Sequence, residues 1–287
     1  MRRVTPLIFL VGETRGIDVG LNAYGLNAYL QDVGAGDWTT DAAGDGERLI
    51  EAAGRLCYRS WAPGLNPNVT KVREGNAAYF KNIIDQRHGS VMEHGSVSFI
   101  FHNVSRVFTH ELVRHRAGCA ISQESMRYVR LTDIPIWLPP ETLAEIEALV
   151  MDVELEENDE DDEEQTSVED QISEIIDRIE LLQQRIGRAI ETVERRQPEA
   201  MPMSRKKKLT SFMRRIAPDG IATGIFWTAN FRTLRHVLEL RTDESAEEEI
   251  RYIFDQVGDL LTQRYPAVFQ DFTRTAGGVW RSSAAKI

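Results

Sequence analysis

At 287 residues the chain has room for one large domain or two small ones, and it is long enough to bury a core without disulfide or metal staples. A composition of 42% hydrophobic and 28% charged residues excludes a disordered chain, and a net charge of -11 argues against a general nucleic-acid binder. The two cysteines, Cys57 and Cys119, form no Cys-x-x-Cys pair, which excludes a disulfide framework and a structural zinc finger; two thiols without a secretory leader fit a reducing cytoplasm.

The first apolar run, Leu7-Ile8-Phe9-Leu10-Val11, is far shorter than the ~18 residues that span a bilayer, and reads as a strand. Residues 46–58 follow a helical period with Leu49, Ile50, Ala53, Leu56 and Cys57 on one face, which predicts a core thiol at Cys57. A second helix is expected over 76–86. Val97, Phe99 and Phe101 then alternate with polar neighbours as in a strand. Ser105 is placed to cap a helix through Phe108, Leu112 and Val113 that runs on into Arg114-His115-Arg116 and stops at Gly118. Three potential cations would then sit at the negative end of its dipole.

Ten carboxylates crowd 152–164, and without them the net charge of -11 becomes -1. Such a run repels itself and predicts a solvated insertion over about 152–166. Residues 168–196 carry the longest helical stripe, Ile172, Ile175, Ile176, Ile179, Leu182, Ile186, Ile190 and Val193. Thr166 with Glu169, or Ser167 with Asp170, offers a capping box, and Pro198 a stop. Two further helices are expected, over about 230–240 and from Ser245 through Leu261. Many helices among few strands predict an α+β fold, a central mostly antiparallel sheet packed by helices, with the long helix and the acidic insertion added, over 1–287 as a single domain.

The chemistry gathers in two polar stretches, 87–128 and 205–243. Five of the six histidines lie in the first and His236 in the second, beside Arg87, Arg106, Arg114, Arg116, Arg127, Arg214, Arg215, Arg232, Arg235 and Arg241. Clustered arginines among small hydroxyl residues suit bidentate phosphate recognition, whereas isolated ones belong to solvated salt bridges. His110 and His115 are five apart, ~140° around a helix at ~100° per residue, so they cannot share a metal as His-Glu-x-x-His does. Cys119 or Ser125 near His115 is a weak signal for a nucleophile. No glycine-rich phosphate loop is present.

Arg114-His115-Arg116 followed by Ser122-Gln123-Glu124-Ser125-Met126-Arg127-Tyr128 resembles the flavin-dependent thymidylate synthases. Eight residues separate the triplet from Ser125, one more than the family pattern. His88-Gly89-Ser90, Glu93-His94, Asn230-Phe231-Arg232 and Leu240-Arg241-Thr242-Asp243 extend the likeness over roughly 75–130 and 200–260.

The resemblance implies reductive methylation of dUMP to dTMP, with 5,10-methylenetetrahydrofolate as carbon donor, FAD as hydride carrier, NADPH as reductant and no metal. It implies FAD contacts from Ser90, Arg114, His115, Arg116, Gln123, Asn230, Arg232 and His236. Nucleotide contacts are implied for Glu111, Arg114, Gln123, Ser125, Met126, Arg127 and Arg215, with Arg214 as the alternative phosphate grip. Arg241 is implied as the activator of the pyrimidine, by electrostatic stabilisation since arginine stays protonated. A cytoplasmic homotetramer with shared sites, binding neither nucleic acid nor membrane, completes the expectation.

Overall fold

The structure, a computed structural model, describes residues 1–17, 25–126, 133–157 and 166–284. In chain order these form β1 (Arg2–Arg3), β2 (Leu7–Glu13), α1 (Leu26–Asp32), α2 (Asp45–Tyr58), α3 (Asn76–Asp85), a 3₁₀ turn (Gly89–His94), β3 (Ser96–Ser105), α4 (Arg106–Leu112), β4 (Cys119–Gln123) and β5 (Pro135–Ile136). There follow α5 (Pro140–Glu157), α6 (Val168–Arg196), α7 (Met203–Phe212), β6 (Ala222–Asn230), α8 (Phe231–Arg241), α9 (Glu248–Arg264), β7 (Phe272–Arg274) and β8 (Trp280–Ser282). The fold is α+β, with an antiparallel four-stranded sheet in the order β2-β3-β6-β4. β1 pairs with β5 in parallel, and β7 with β8 antiparallel. Among the described residues no helix is long and apolar enough to cross a membrane.

Two compact units partition the chain. The first comprises Met1–Leu7, Phe101–Leu112 and Ser122–Ile225. Its core gathers Ile134, Ile136, Ile176 and Ile221, with Phe101 edge-on to Phe108 at 5.3 Å. Ser105 Oγ accepts from the Phe108 amide at 3.0 Å, the predicted cap. Of the two possible boxes on α6, Ser167 with Asp170 forms: Ser167 Oγ accepts from the Asp170 amide at 3.0 Å. Only Ile176 and Ile190 of the α6 stripe are buried, while Ile175, Leu182 and Val193 are exposed. The acidic run does not begin as a loop. Asp152 to Glu157 continue α5, and residues 158–165 lie outside the described residues.

The second unit comprises Ile8–Ile100, Val113–Ile121 and Phe226–Ile287. Val97 and Phe99 of β3 and Trp227 and Ala229 of β6 are buried as the alternation requires. Trp227 stacks on Phe99 at 6.3 Å and meets Phe254 of α9 edge-on at 5.9 Å. On β2 the alternation turns outward, leaving Phe9 and Val11 each 46% exposed on a strand at the rim of the sheet.

α2 departs from the sequence reading. Ile50 is buried as predicted, but Cys57 and Leu56 are exposed, and the buried face also carries Glu47, Glu51 and Arg55. The physical reason is a polar network centred on Glu51 and Arg55. Glu51 accepts from Thr40 Oγ1 at 2.6 Å, Asn76 Nδ2 at 2.7 Å and Arg55 Nε at 2.8 Å. Arg55 also donates to the Ser60 and Arg73 carbonyls and stacks over Tyr79 at 4.6 Å. Glu51 and Arg55 thus pair with each other, and Glu47 accepts from the Ala43 and Ala267 amides at 3.1 and 3.2 Å, so burial is tolerated.

A second buried pair ties α8 to β7. Arg235 Nη1 and Nη2 donate to Asp271 Oδ1 and Oδ2, both at 2.7 Å, with side chains 5% and 8% exposed. Burial pushes the Asp271 carboxyl up, but the guanidinium and Ser282 outweigh it and hold the group below its usual range. A depressed carboxylate contributes stability above its unfolded pKa of about 3.9, lost as pH falls through the folded value. Asp271→Ala strands the buried Arg235 and should cost about 3–5 kcal/mol at pH 7 in urea denaturation. The same variant should lose less on acidification to about pH 3 than the parent does.

Candidate active site

The turn after α4 is built on one glycine. α4 ends at Leu112, so Arg114-His115-Arg116 lie beyond the helix and do not occupy its last turn as the sequence predicts. Gly118 does not cap that helix either. With φ +68 it turns the chain from the triplet toward β4. Its carbonyl accepts from the Asn230 amide at 2.9 Å, and the Ala117 carbonyl accepts from Thr233 Oγ1 at 2.7 Å. A Cβ at position 118 would stand 2.3 Å from Asn230 Nδ2 and 2.5 Å from Thr233 Oγ1. The approach of this turn to α8 therefore requires glycine.

α8 answers from the other side. Asn230 caps it, Oδ1 accepting from the Thr233 amide at 2.9 Å. At the far end Arg241 Nε donates to His115 Nε2 at 2.7 Å. That bond makes Nε2 an acceptor and places the neutral imidazole proton on Nδ1. His236 meets His115 edge-on at 6.3 Å. Phe231 N donates to the Gly95 carbonyl, and Arg232 pairs with Glu93 of the 3₁₀ turn at 2.6 Å, beside exposed Ser90. Arg114 and Arg116 are exposed and make no hydrogen bond or ion pair among the described residues. Ser90, Arg114, His115, Arg116, Asn230, Arg232, His236 and Arg241 thus all belong to the second unit.

The first unit holds Glu111, Gln123, Ser125, Met126 and Arg215. Gln123 Nε2 donates to Thr109 Oγ1 at 3.0 Å, while Arg106 Nε reaches Met126 Sδ at 2.8 Å. Glu111 and Ser125 are half-buried. Arg214 is tied to Ser211, its Nη2 donating to Oγ at 2.7 Å, whereas Arg215 makes no hydrogen bond or ion pair among the described residues. Arg127 and Tyr128 of the motif lie outside the described residues. Cys119 Sγ donates to the His115 carbonyl at 2.5 Å, which engages the thiol locally.

Sequence reasoning did not find Thr109, Thr233 or the coupling of Glu93 to Arg232. The first two are small hydroxyls with no pattern of their own; Glu93–Arg232 joins residues 139 apart.

A family described as Thymidylate synthase complementing protein matches residues 40–267. The flavin-dependent thymidylate synthases of Mycobacterium tuberculosis (strain ATCC 25618 / H37Rv) and Mycobacterium bovis (strain BCG / Pasteur 1173P2) are each 36% identical over 238 residues, spanning 83% of this chain and 84% of the relative. That of Mycobacterium marinum is 36% identical over 241 residues, spanning 83% and 84%. Among solved structures, the UMP/dUMP methylase PolB from Streptomyces cacaoi, bound with 5-Br dUMP, aligns over 97% of this chain and 99% of its own at a TM-score of 0.55. At 16% identity that likeness speaks to the fold alone.

Gly118→Ala should cost about 1–3 kcal/mol through the clash and the positive φ. Asn230→Gly, itself mild at a helix cap, should recover part of that loss in the double variant. Chemical denaturation of the two single variants and the double variant measures the coupling.

Proposed function

This chain belongs to the family of flavin-dependent thymidylate synthases, and on that premise we propose that it methylates dUMP to dTMP, with methylenetetrahydrofolate as carbon donor, FAD as hydride carrier and NADPH as reductant. The observation that carries the reading is the Arg114–Gly118 turn seated on α8, with Arg241 fixed to His115.

The donor set of the second unit fits FAD. The outward guanidiniums of Arg114 and Arg116 suit a diphosphate, and Ser90 and Arg232 add a hydroxyl and a third cation. Asn230 spends its oxygen on the α8 cap, so it meets a ligand only as a donor through Nδ2. His115 is held at Nε2 by Arg241, which fixes its ring. Bound there, FAD supplies hydride chemistry that no side chain performs.

Arg241 takes the activating role. Anchored through Nε, its guanidinium stays oriented without reorganisation, and a fixed cation toward the pyrimidine N3 and O2 favours the ionised base. Gln123 turns Nε2 to Thr109, leaving Oε1 to accept from the nucleotide. Ser125, Met126, Arg127 and Glu111 complete the nucleotide contacts, and Arg114 reaches the nucleotide as well. Arg215 grips the phosphate in preference to Arg214, whose guanidinium is already engaged by Ser211. The homotetramer and the cytoplasmic setting belong to the same reading.

Purified protein should be yellow and should form dTMP only with NADPH and methylenetetrahydrofolate; colourless protein that takes up no added FAD overturns the reading. Arg241→Ala should lower kcat by about 100- to 1000-fold. Arg215→Ala should raise the KM for dUMP by about 10- to 100-fold, and Arg214→Ala by far less. Steady-state kinetics on the three variants decides the assignments.

A further inference from the structure

Arg241 is the last residue of α8, and a helix end frays unless its free carbonyls find partners. Thr242 closes this helix in a right-handed conformation, without the left-handed glycine common there. The partners come instead from β8. Thr242 Oγ1, 1% exposed, donates to the Leu238 carbonyl at 2.7 Å and accepts from the Trp280 amide at 2.9 Å. Arg281 Nη1 donates to the Glu239 carbonyl at 3.1 Å, while Nη2 pairs with Asp243. The Ser282 amide donates to Glu239 Oε1 at 2.9 Å. Three successive residues of β8 thus bond Glu239, Thr242 and Asp243, on either side of Arg241.

β8 is itself anchored. Trp280 packs on Gly258 of α9, where an added Cβ would stand 2.4 Å from the indole, and its Nε1 donates to Asp255 Oδ1 at 3.0 Å. Ser282 Oγ donates to the buried Asp271 at 2.6 Å. Ser245 and Arg281 hold the Asp243 carboxyl down at about 2, so its charge persists through the neutral range. An exposed ion pair adds little to stability, and bonds gathered on both sides of one arginine serve placement. Resting on the reading that Arg241 activates the pyrimidine, we propose that β8 is a positioning element of the active site and Arg281 its positioning residue. The Arg281 guanidinium pins the end of α8, so that Arg241 keeps its bond to His115 and meets the pyrimidine without reorganisation. Residues 272–282 lie beyond the matched 40–267, so this support comes from outside the matched region.

Steady-state kinetics and histidine NMR on the full flavin-loaded chain test this. Arg281 is exposed, so Arg281→Ala leaves the core intact. It should lower kcat about tenfold while the KM for dUMP moves less than about twofold, because a misplaced activator is missed most in the transition state. Arg274→Ala, which instead breaks the bond of β7 to Asp255 on α9, should leave kcat unchanged. In 15N spectra, with His115 assigned by His115→Gln, Nε2 should carry the shift of a hydrogen-bonded acceptor in the parent and lose it in Arg281→Ala. Three results would overturn the proposal: an equal loss of kcat in Arg274→Ala, an unmoved His115 signal in Arg281→Ala, or a kcat untouched by Arg281→Ala although lowered by Arg241→Ala. A kcat unmoved by Arg241→Ala itself would sink the activating role alone, and the His115 signal then still reports whether Arg281 places Arg241.

Discussion

The contact on which the candidate active site depends is the near-touch of two backbones, where the Ala117-Gly118 turn meets the first turn of α8. Two bonds close it, Asn230 N to the Gly118 carbonyl and Thr233 Oγ1 to the Ala117 carbonyl. The helix N-terminus would otherwise present orphan donors, and the chain satisfies one with its own cap and lends another to the turn. Because the turn is fixed at residue 118, the triplet three residues upstream inherits a fixed exit direction. His115 is then held a second time, by Arg241 at the opposite end of the same helix. A rigid helix thus sets the separation of the groups at its two ends, which is the geometry that positioned charges demand.

Much of the fold was legible from periodicity. The bounds of α3, α6 and α8, the β3 alternation and the caps at Ser105 and Ser167 follow from apolar spacing and short polar side chains. Where the reading went astray, a tertiary partner decided. Hydrophobicity alone points the α2 face toward Leu56 and Cys57, but Glu51 and Arg55 find Thr40, Asn76 and Tyr79, residues no local rule connects to them. α4 stops at Leu112 although nothing in the sequence breaks it there, since Gly118 is required by α8 and not by α4. The opening of the acidic run is helical because Asp152 to Glu157 extend a helix already begun at Pro140.

The candidate site was legible as chemistry and not as geometry. Arginine density and the Arg-His-Arg motif pointed to anionic ligands, and the resemblance supplied names. That Arg241 would find His115, 126 residues away, is a fact of the fold. So is the separate employment of Arg214 and Arg215, adjacent in sequence and chemically alike, one engaged by Ser211 and the other without a hydrogen bond or ion pair among the described residues.

The rim strand β2 carries a consequence of another kind. Its outward Phe9 and Val11 lie on an edge strand, a border of the sort that natural sheets usually blunt with lysine, proline or a bulge. Copies that meet during folding can pair along such an edge. Recovery from denaturant is accordingly a race between folding and clumping, and dilution favours folding because only clumping needs a second molecule.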